Sequence, residues 1–229
     1  MTVADNLASI QERISKAALR ADRDPAAIRL VAVSKTVSAE SIQQAIAAGV
    51  TILGENYVQE ARNKIARIGK QVEWHFIGHL QSNKAKYAVE LFSMVHSVDR
   101  LSLAEELDQE ANKQGKIVPV LIQVNISGEE SKSGIDPQGT LQLLERIAAL
   151  QHLAVHGLMA MPPWFEDPED ARPYLNALRK LREELANKKI HGVSLQELSM
   201  GMSGDFEVAI EEGATLVRVG TAIFGPRNP

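Results

Sequence analysis

The 229-residue chain is 45% apolar and 24% charged, which is enough to build one α/β barrel of ordinary globular composition. Its formal net charge of −4 and pI near 5.9 argue against nucleic acid or an anionic membrane as a general partner. It contains no cysteine, which excludes disulfides, zinc–thiolate sites and a thiol nucleophile, and fits a cytoplasmic protein.

The first segment, Met1 to Arg23, sets Leu7, Ile10, Ile14 and Ala17 at helical spacing and closes near Asp24-Pro25. It carries Asp5, Glu12 and Asp22 and lacks the apolar run of a signal peptide. No segment of the chain reaches the roughly 18 apolar residues needed to span a bilayer. Ile28 to Val33 is an apolar, β-branched run too short for a helix, as expected of a strand buried on both faces. A helix follows over Ser38 to Ala48, with Gly49 as its C-cap. The alternation then repeats. Strands are expected at Thr51–Leu53, Glu73–Ile77, Ser93–His96, Val118–Asn125, Ala154–Met159, Leu195–Ser199 and Thr215–Val219. Helices are expected at Tyr57–Ile68, Asn83–Leu91, Leu101–Gln114, Thr140–Leu150, Pro168–Asn187 and Asp205–Glu212.

Eight strands alternating with helices predict a single closed (β/α)8 TIM barrel over residues 1–229, in preference to an open doubly wound sheet. Only ten residues, Gly220 to Pro229, follow the last strand. They leave little room for an eighth outer helix, and the extra N-terminal helix can fill that vacancy. Pro162-Pro163-Trp164 reads as a loop after the sixth strand.

Active sites of such barrels lie at the C-terminal strand ends. The first strand runs directly into Ser34-Lys35-Thr36. A lysine there either snorkels to solvent or, partly desolvated, offers an amine that attacks a carbonyl. Small-residue segments follow the seventh and eighth strands, at Ser199-Met200-Gly201-Met202-Ser203-Gly204-Asp205 and at Arg218-Val219-Gly220-Thr221-Ala222. Each could serve only turns and helix caps, but both fall where this fold binds phosphate. Arg218 is either a structural ion-pair member or a fixed donor to a ligand heteroatom. Asn56 could contact a ring substituent. His79 is either a proton carrier or a hydrogen-bonded structural residue. His75 shares its i, i+4 spacing but sits in a strand, so the two do not form a metal site. Lys132, near Gly134, is a solvated charge or a second anion contact, and Glu129-Glu130 reads as a solvated loop. No nucleotide P-loop, G-x-S-x-G elbow or H-E-x-x-H helix is present.

Taken in order, Val31-Ala32-Val33-Ser34-Lys35, Gly54-Glu55-Asn56, His75-Phe76-Ile77-Gly78-His79-Leu80-Gln81, His156-Gly157-Leu158-Met159, Leu198-Ser199-Met200-Gly201-Met202-Ser203 and Arg218-Val219-Gly220-Thr221 resemble the pyridoxal phosphate homeostasis protein family over essentially the whole chain. That family looks like the barrel domain of alanine racemase standing alone. The resemblance implies a fold type III barrel that holds pyridoxal 5′-phosphate as a Schiff base on Lys35. It implies a phosphate cradle at Ser199-Met200 and Gly220-Thr221, Arg218 facing the pyridine nitrogen, and Asn56 near the ring. A guanidinium cannot accept the pyridine proton, so the ring is a poorer electron sink than one paired with a carboxylate.

Two readings follow. One is a monomeric cytoplasmic cofactor-holding protein that limits free aldehyde, influences amino-acid and keto-acid balance, and supplies apo-enzymes. The other is a single-domain racemase or related amino-acid enzyme using the same cofactor. A cofactor-free aldolase-type barrel is a third, weaker option.

Overall fold

Short Val/Ile/Leu runs separated by amphipathic helices can bury both faces only as parallel strands with helices outside them. The computed structural model describes residues 2–129 and 132–226. It contains the strands β1 (Arg29–Val33), β2 (Ile52–Glu55), β3 (Glu73–Phe76), β4 (Met94–Val98), β5 (Val118–Gln123), β6 (Leu153–Met159), β7 (Val193–Ser199) and β8 (Leu216–Val219). They pair in chain order, all parallel, and β8 returns to β1 to close a barrel. Around them lie α1 (Val3–Arg20), α2 (Ala39–Ala47), α3 (Val58–Ile68), α4 (Ala85–Leu91), α5 (Leu101–Lys113), α6 (Thr140–Ile147), α7 (Arg172–Ala186), α8 (Phe206–Glu211) and α9 (Thr221–Phe224).

Strand alternation divides the core in two. Val31, Ile52, Met94, Leu121, Met159 and Leu216 form a small apolar cluster of their own, the packed interior of the barrel. Their strand neighbours, such as Trp74, Phe76, Leu53 and Leu198, join the larger core under the helices. Closure pairs Val31 with Arg218 and Ala32 with Val219. The loop after β1 is thereby set beside the loop after β8, joining Lys35 to Gly220-Thr221.

The N-terminal helix fills the gap in the outer ring. A capping box between Thr2 and Asp5 starts α1. Its stripe of Leu7, Ile10, Ile14, Ala17 and Ala18 is buried against α8, α9 and α2. Each of the three large side chains contributes about 1.5–3 kcal/mol of burial. Arg13–Glu207 and Arg20–Glu211 ion pairs flank the seam.

Boundaries move where polar residues or tight turns sit inside elements. β2 runs on through Gly54, where a Cβ would lie 2.8 Å from Val31 Cγ1, and Glu55, which carries its charge into the layer beneath α3 onto Lys64. α7 begins at Arg172, since Pro168–Ala171 forms a separate 3-10 turn, and Ser82–Lys84 does the same before α4. The four-residue α9 is too short for periodicity to reveal. Among the described residues no helix is long and apolar enough to cross a membrane.

Candidate functional site

A cavity of about 560 Å³ opens at the C-terminal mouth of the barrel, within the range of small-molecule sites. Lys35, Asn56, Arg218, Gly220 and Thr221 line it together with Ser203 and Gly204, and Val33, Ile77, Met161 and Trp164 form apolar walls. A smaller cavity of about 260 Å³ lies at the opposite end, between α1 and the start of β1, and is lined by neither lysine nor histidine.

Lys35 is half-buried directly beyond β1, and the backbone on both sides of it is clamped. The buried Glu55 carboxylate accepts from Ser34 Oγ at 2.6 Å and from Lys64 Nζ at 2.8 Å. Lys64 Nζ also donates to the Ser34 carbonyl and to Glu60 Oε1, and Glu60 Oε1 accepts from the Thr36 N–H. Thr36 holds φ 62°, an unfavourable left-handed conformation for a β-branched residue. The ion cluster offsets that strain and fixes where the Lys35 side chain departs. Burial raises the Glu55 pKa, and Lys64 and Ser34 act against the shift.

Asn56 stands at the end of β2 because Gly78 lets two backbones touch: a Cβ at Gly78 would lie 2.4 Å from the Asn56 carbonyl oxygen. Its Oδ1 is buried without a protein partner, on the cavity wall. An orphaned amide oxygen of this kind calls for a ligand donor or water.

The small-residue wall comes from the loops after β7 and β8. Ser203 Oγ accepts from the Gly220 N–H at 3.2 Å and ties the two loops together. An added side chain at Gly204 would meet nothing within 4 Å, and the first amides of α9 have no carbonyl behind them in the helix. Ser203 and Thr221 bring hydroxyls to this wall, and Gly204 leaves it open. Ser199 and Met200 are placed differently. Ser199 is fully buried, its hydroxyl held between Arg218 and His96. Met200 packs in the outer core and spends its N–H on the Leu216 carbonyl. The reason is strand alternation: Ser199 points into the barrel, so Met200 points out.

Arg218 is buried within the barrel, with Nη1 donating to Ser199 Oγ at 2.6 Å and Nη2 to the Ala160 carbonyl at 2.9 Å. Burial pushes its pKa down to about 10, so it stays charged at neutral pH. Below it a chain of polar side chains continues through the interior. Ser199 Oγ lies 2.9 Å from His96 Nδ1, His96 Nε2 3.0 Å from His75 Nδ1, and His75 Nε2 3.1 Å from Glu73 Oε2.

Burial is the main cause that lowers both histidine pKa values; nearby cationic groups add to it at His96, and Glu73 opposes it at His75. Both rings are neutral in the folded protein, whereas the unfolded chain takes up protons below about pH 6.5. Their contribution is present above that pH and is lost as pH falls toward the folded values. Urea midpoints measured from pH 7.5 to 5.5 should show stability falling once the pH drops below about 6.5, by at most about 1.4 kcal/mol per pH unit for each histidine. A His96→Asn variant should show a shallower slope, and an unchanged slope would contradict the assignment.

The other candidates lie apart from this cavity. His79 lines an adjoining cavity with Tyr57 and Lys84 and approaches Ser133 Oγ at 3.5 Å. Lys132 pairs with Glu129 at 2.9 Å, and Glu130 lies outside the described residues. His96 escapes sequence reading because one histidine in a strand looks structural. The available signal is that His75 and His96 occupy inward positions of neighbouring strands, which becomes visible only once register is known.

Comparison with known proteins agrees with this architecture. The family description "Alanine racemase, N-terminal domain" matches residues 6–228. The pyridoxal phosphate homeostasis protein of Aquifex aeolicus is 46% identical, over 100% of both chains. The Escherichia coli K12 protein of that name is 43% identical over 99% of this chain and 97% of its own. The chain belongs to the pyridoxal phosphate homeostasis protein family. Another similar protein, PipY of Synechococcus elongatus PCC7942, was solved with PLP bound; it is 38% identical, with a TM-score of 0.85, over 98% of this chain and 100% of that one. Alanine racemase from Corynebacterium glutamicum shares the fold at 17% identity and a TM-score of 0.74, the barrel matching 62% of that chain. Membership in the pyridoxal phosphate homeostasis protein family thus accompanies a barrel whose mouth carries a lysine, a buried arginine and a small-residue wall.

Proposed function

We propose that this protein binds pyridoxal 5′-phosphate in the mouth cavity and holds it as a Schiff base on Lys35, serving intracellular cofactor homeostasis and amino-acid/keto-acid balance. The observation that carries the proposal is Lys35 sharing one cavity with Arg218, Asn56 and the Ser203-Gly204 and Gly220-Thr221 wall. Lys35 would hold the cofactor, which would supply an aldehyde for its amine.

The chain's own groups suit such a guest. Hydroxyls of Ser203 and Thr221 and the amides of the small-residue wall answer a phosphate. Val33, Ile77 and Met161 cover an aromatic ring, and the orphaned Asn56 amide can meet a ring substituent. Arg218, held by Ser199 and Ala160, can face the ring nitrogen and donate to it, and a guanidinium leaves that nitrogen unprotonated. The ionisable side chains lining the cavity are Lys35 and Arg218, and an arginine is a poor general base. This favours holding over turnover. The proposal extends to a monomeric, cytoplasmic, one-domain protein that passes cofactor to apo-enzymes.

The test is a titration of purified protein with pyridoxal 5′-phosphate, followed by borohydride and peptide mass mapping. A new visible absorbance band, fixed by borohydride on Lys35, is expected. Fixation elsewhere, or no band, overturns the proposal. Chiral product analysis with a panel of L-amino acids separates the two readings, since sustained turnover above cofactor-only controls favours the enzyme.

A further inference from the structure

A buried arginine normally sits against a carboxylate, because an uncompensated charge in the interior is costly. The hydrogen bonds of Arg218 go instead to neutral oxygens, Ser199 Oγ and the Ala160 carbonyl. Asp205 acts on Arg218 through space, and the carboxylate that terminates its hydrogen-bonded chain stands at the far end of the barrel. Glu73 opens β3 at the bottom of the barrel with its side chain 57% exposed, and two histidines and a serine connect it to Arg218.

The sense of these hydrogen bonds is fixed by the two ends. Arg218 can only donate, so Ser199 Oγ accepts from it. An ionised Glu73 can only accept, so a neutral His75 must carry its proton on Nε2 and accept at Nδ1. His96 must then donate from Nε2 and accept at Nδ1, and the Ser199 hydroxyl must donate to His96. The opposite sense sets the His75 Nε2 lone pair against the Glu73 carboxylate. With the serine proton committed to His96, the Ser199 oxygen is a better acceptor for Arg218, since each bond in a chain polarises the next.

We propose that Glu73, His75, His96 and Ser199 form a one-way hydrogen-bond relay through the barrel core that orients Arg218 at the ligand cavity. These four are positioning residues: they act on the cavity through Arg218. The inference rests on the reading that Arg218 faces a bound pyridine ring. The charged groups that bear on the two rings are Glu73, Arg29 and Glu197 from the bottom of the barrel and Arg218 from the top. Arg29 and Glu197 pair with each other at 2.7 Å.

The decisive change is on the surface, where folding is not at risk. Glu73→Lys removes the acceptor and presents a donor, so the relay reverses; Glu73→Gln keeps a carbonyl oxygen and preserves it. Long-range proton–nitrogen NMR of the histidine rings in cofactor-free protein at pH 7.5 should show Nε2–H tautomers for both residues in wild type and E73Q. In E73K both should become Nδ1–H. Affinity for pyridoxal 5′-phosphate should fall about fivefold in E73K, as for a weakened charge-assisted hydrogen bond, and stay near wild type in E73Q.

Nδ1–H tautomers in wild type, unchanged tautomers in E73K, or reversed tautomers with unchanged affinity would each overturn the relay. Failure of wild type to bind the cofactor would sink the functional reading instead, and the NMR arm would still judge the hydrogen-bond sense.

Discussion

Lys35→Ala should abolish the borohydride-fixable adduct and weaken cofactor retention by on the order of 100-fold, about 2.7 kcal/mol. The physical basis is that the remaining wall recognises only the ring and phosphate, by reversible contacts, whereas the lysine supplies a bond. Residual binding should therefore rise and fall with free cofactor and wash out on dialysis. Wild type should keep its visible band through the same treatment. Circular dichroism separates loss of the site from loss of the fold. An alanine variant with a visible band close to that of wild type would show that the amine at position 35 is not the anchor.

The second large effect is expected beneath Lys35. Lys64→Met should destabilise the protein by about 3–5 kcal/mol in urea denaturation, the usual cost of removing one partner of a buried ion pair. Glu55 is fully buried, with Oε1 accepting from Lys64 and Ser34 and Oε2 unpartnered. Without Lys64 its charge has no counterion inside, and the Ser34 carbonyl loses its donor. Adding Glu55→Gln to Lys64→Met should recover part of the loss, because a neutral amide no longer carries an uncompensated charge. A double variant that is no better than the single one would locate the cost in packing of the lysine stem. The same variant loosens the turn that carries Thr36 at positive φ, so cofactor affinity should fall along with stability.

Much of the fold is legible in the amino-acid sequence. The apolar, β-branched runs at Val31–Val33, Val118–Ile122 and around Val217 and Val219 are legible as strands because they are too short for a helix. Lys35, Arg218, Gly220 and Thr221 were legible because the fold makes every strand end a candidate. Met200 was not separable from its neighbours, since adjacent residues at a strand end face opposite ways and the parity is set by the barrel. Ser203 was ambiguous between a cap and a ligand donor, and its bond to the Gly220 amide could be found only in three dimensions. Glu55 and Lys64, nine positions apart, look like ordinary surface charges in one dimension. Their burial follows from β2 carrying Glu55 into the layer beneath α3. Glu73, His75, His96 and Ser199 come from three strands, and no spacing along the chain links them.

The seam between α1 and the end of the chain also bears on how the molecule comes to be made. Asn6 Nδ2 donates to the Ile223 carbonyl across 217 positions, and Arg13 reaches Glu207 across 194. On the ribosome α1 is made well before α8 and α9, which form most of the surface it covers. Until α8 and α9 are made, Leu7, Ile10 and Ile14 have only α2 and the turn before β1 to pack on, and the closing strand pair β1–β8 cannot form. Native contacts of this span make ring closure a late, slow event. The order of synthesis thus leaves part of a sticky apolar stripe waiting on a nascent chain until α8 and α9 arrive to cover it.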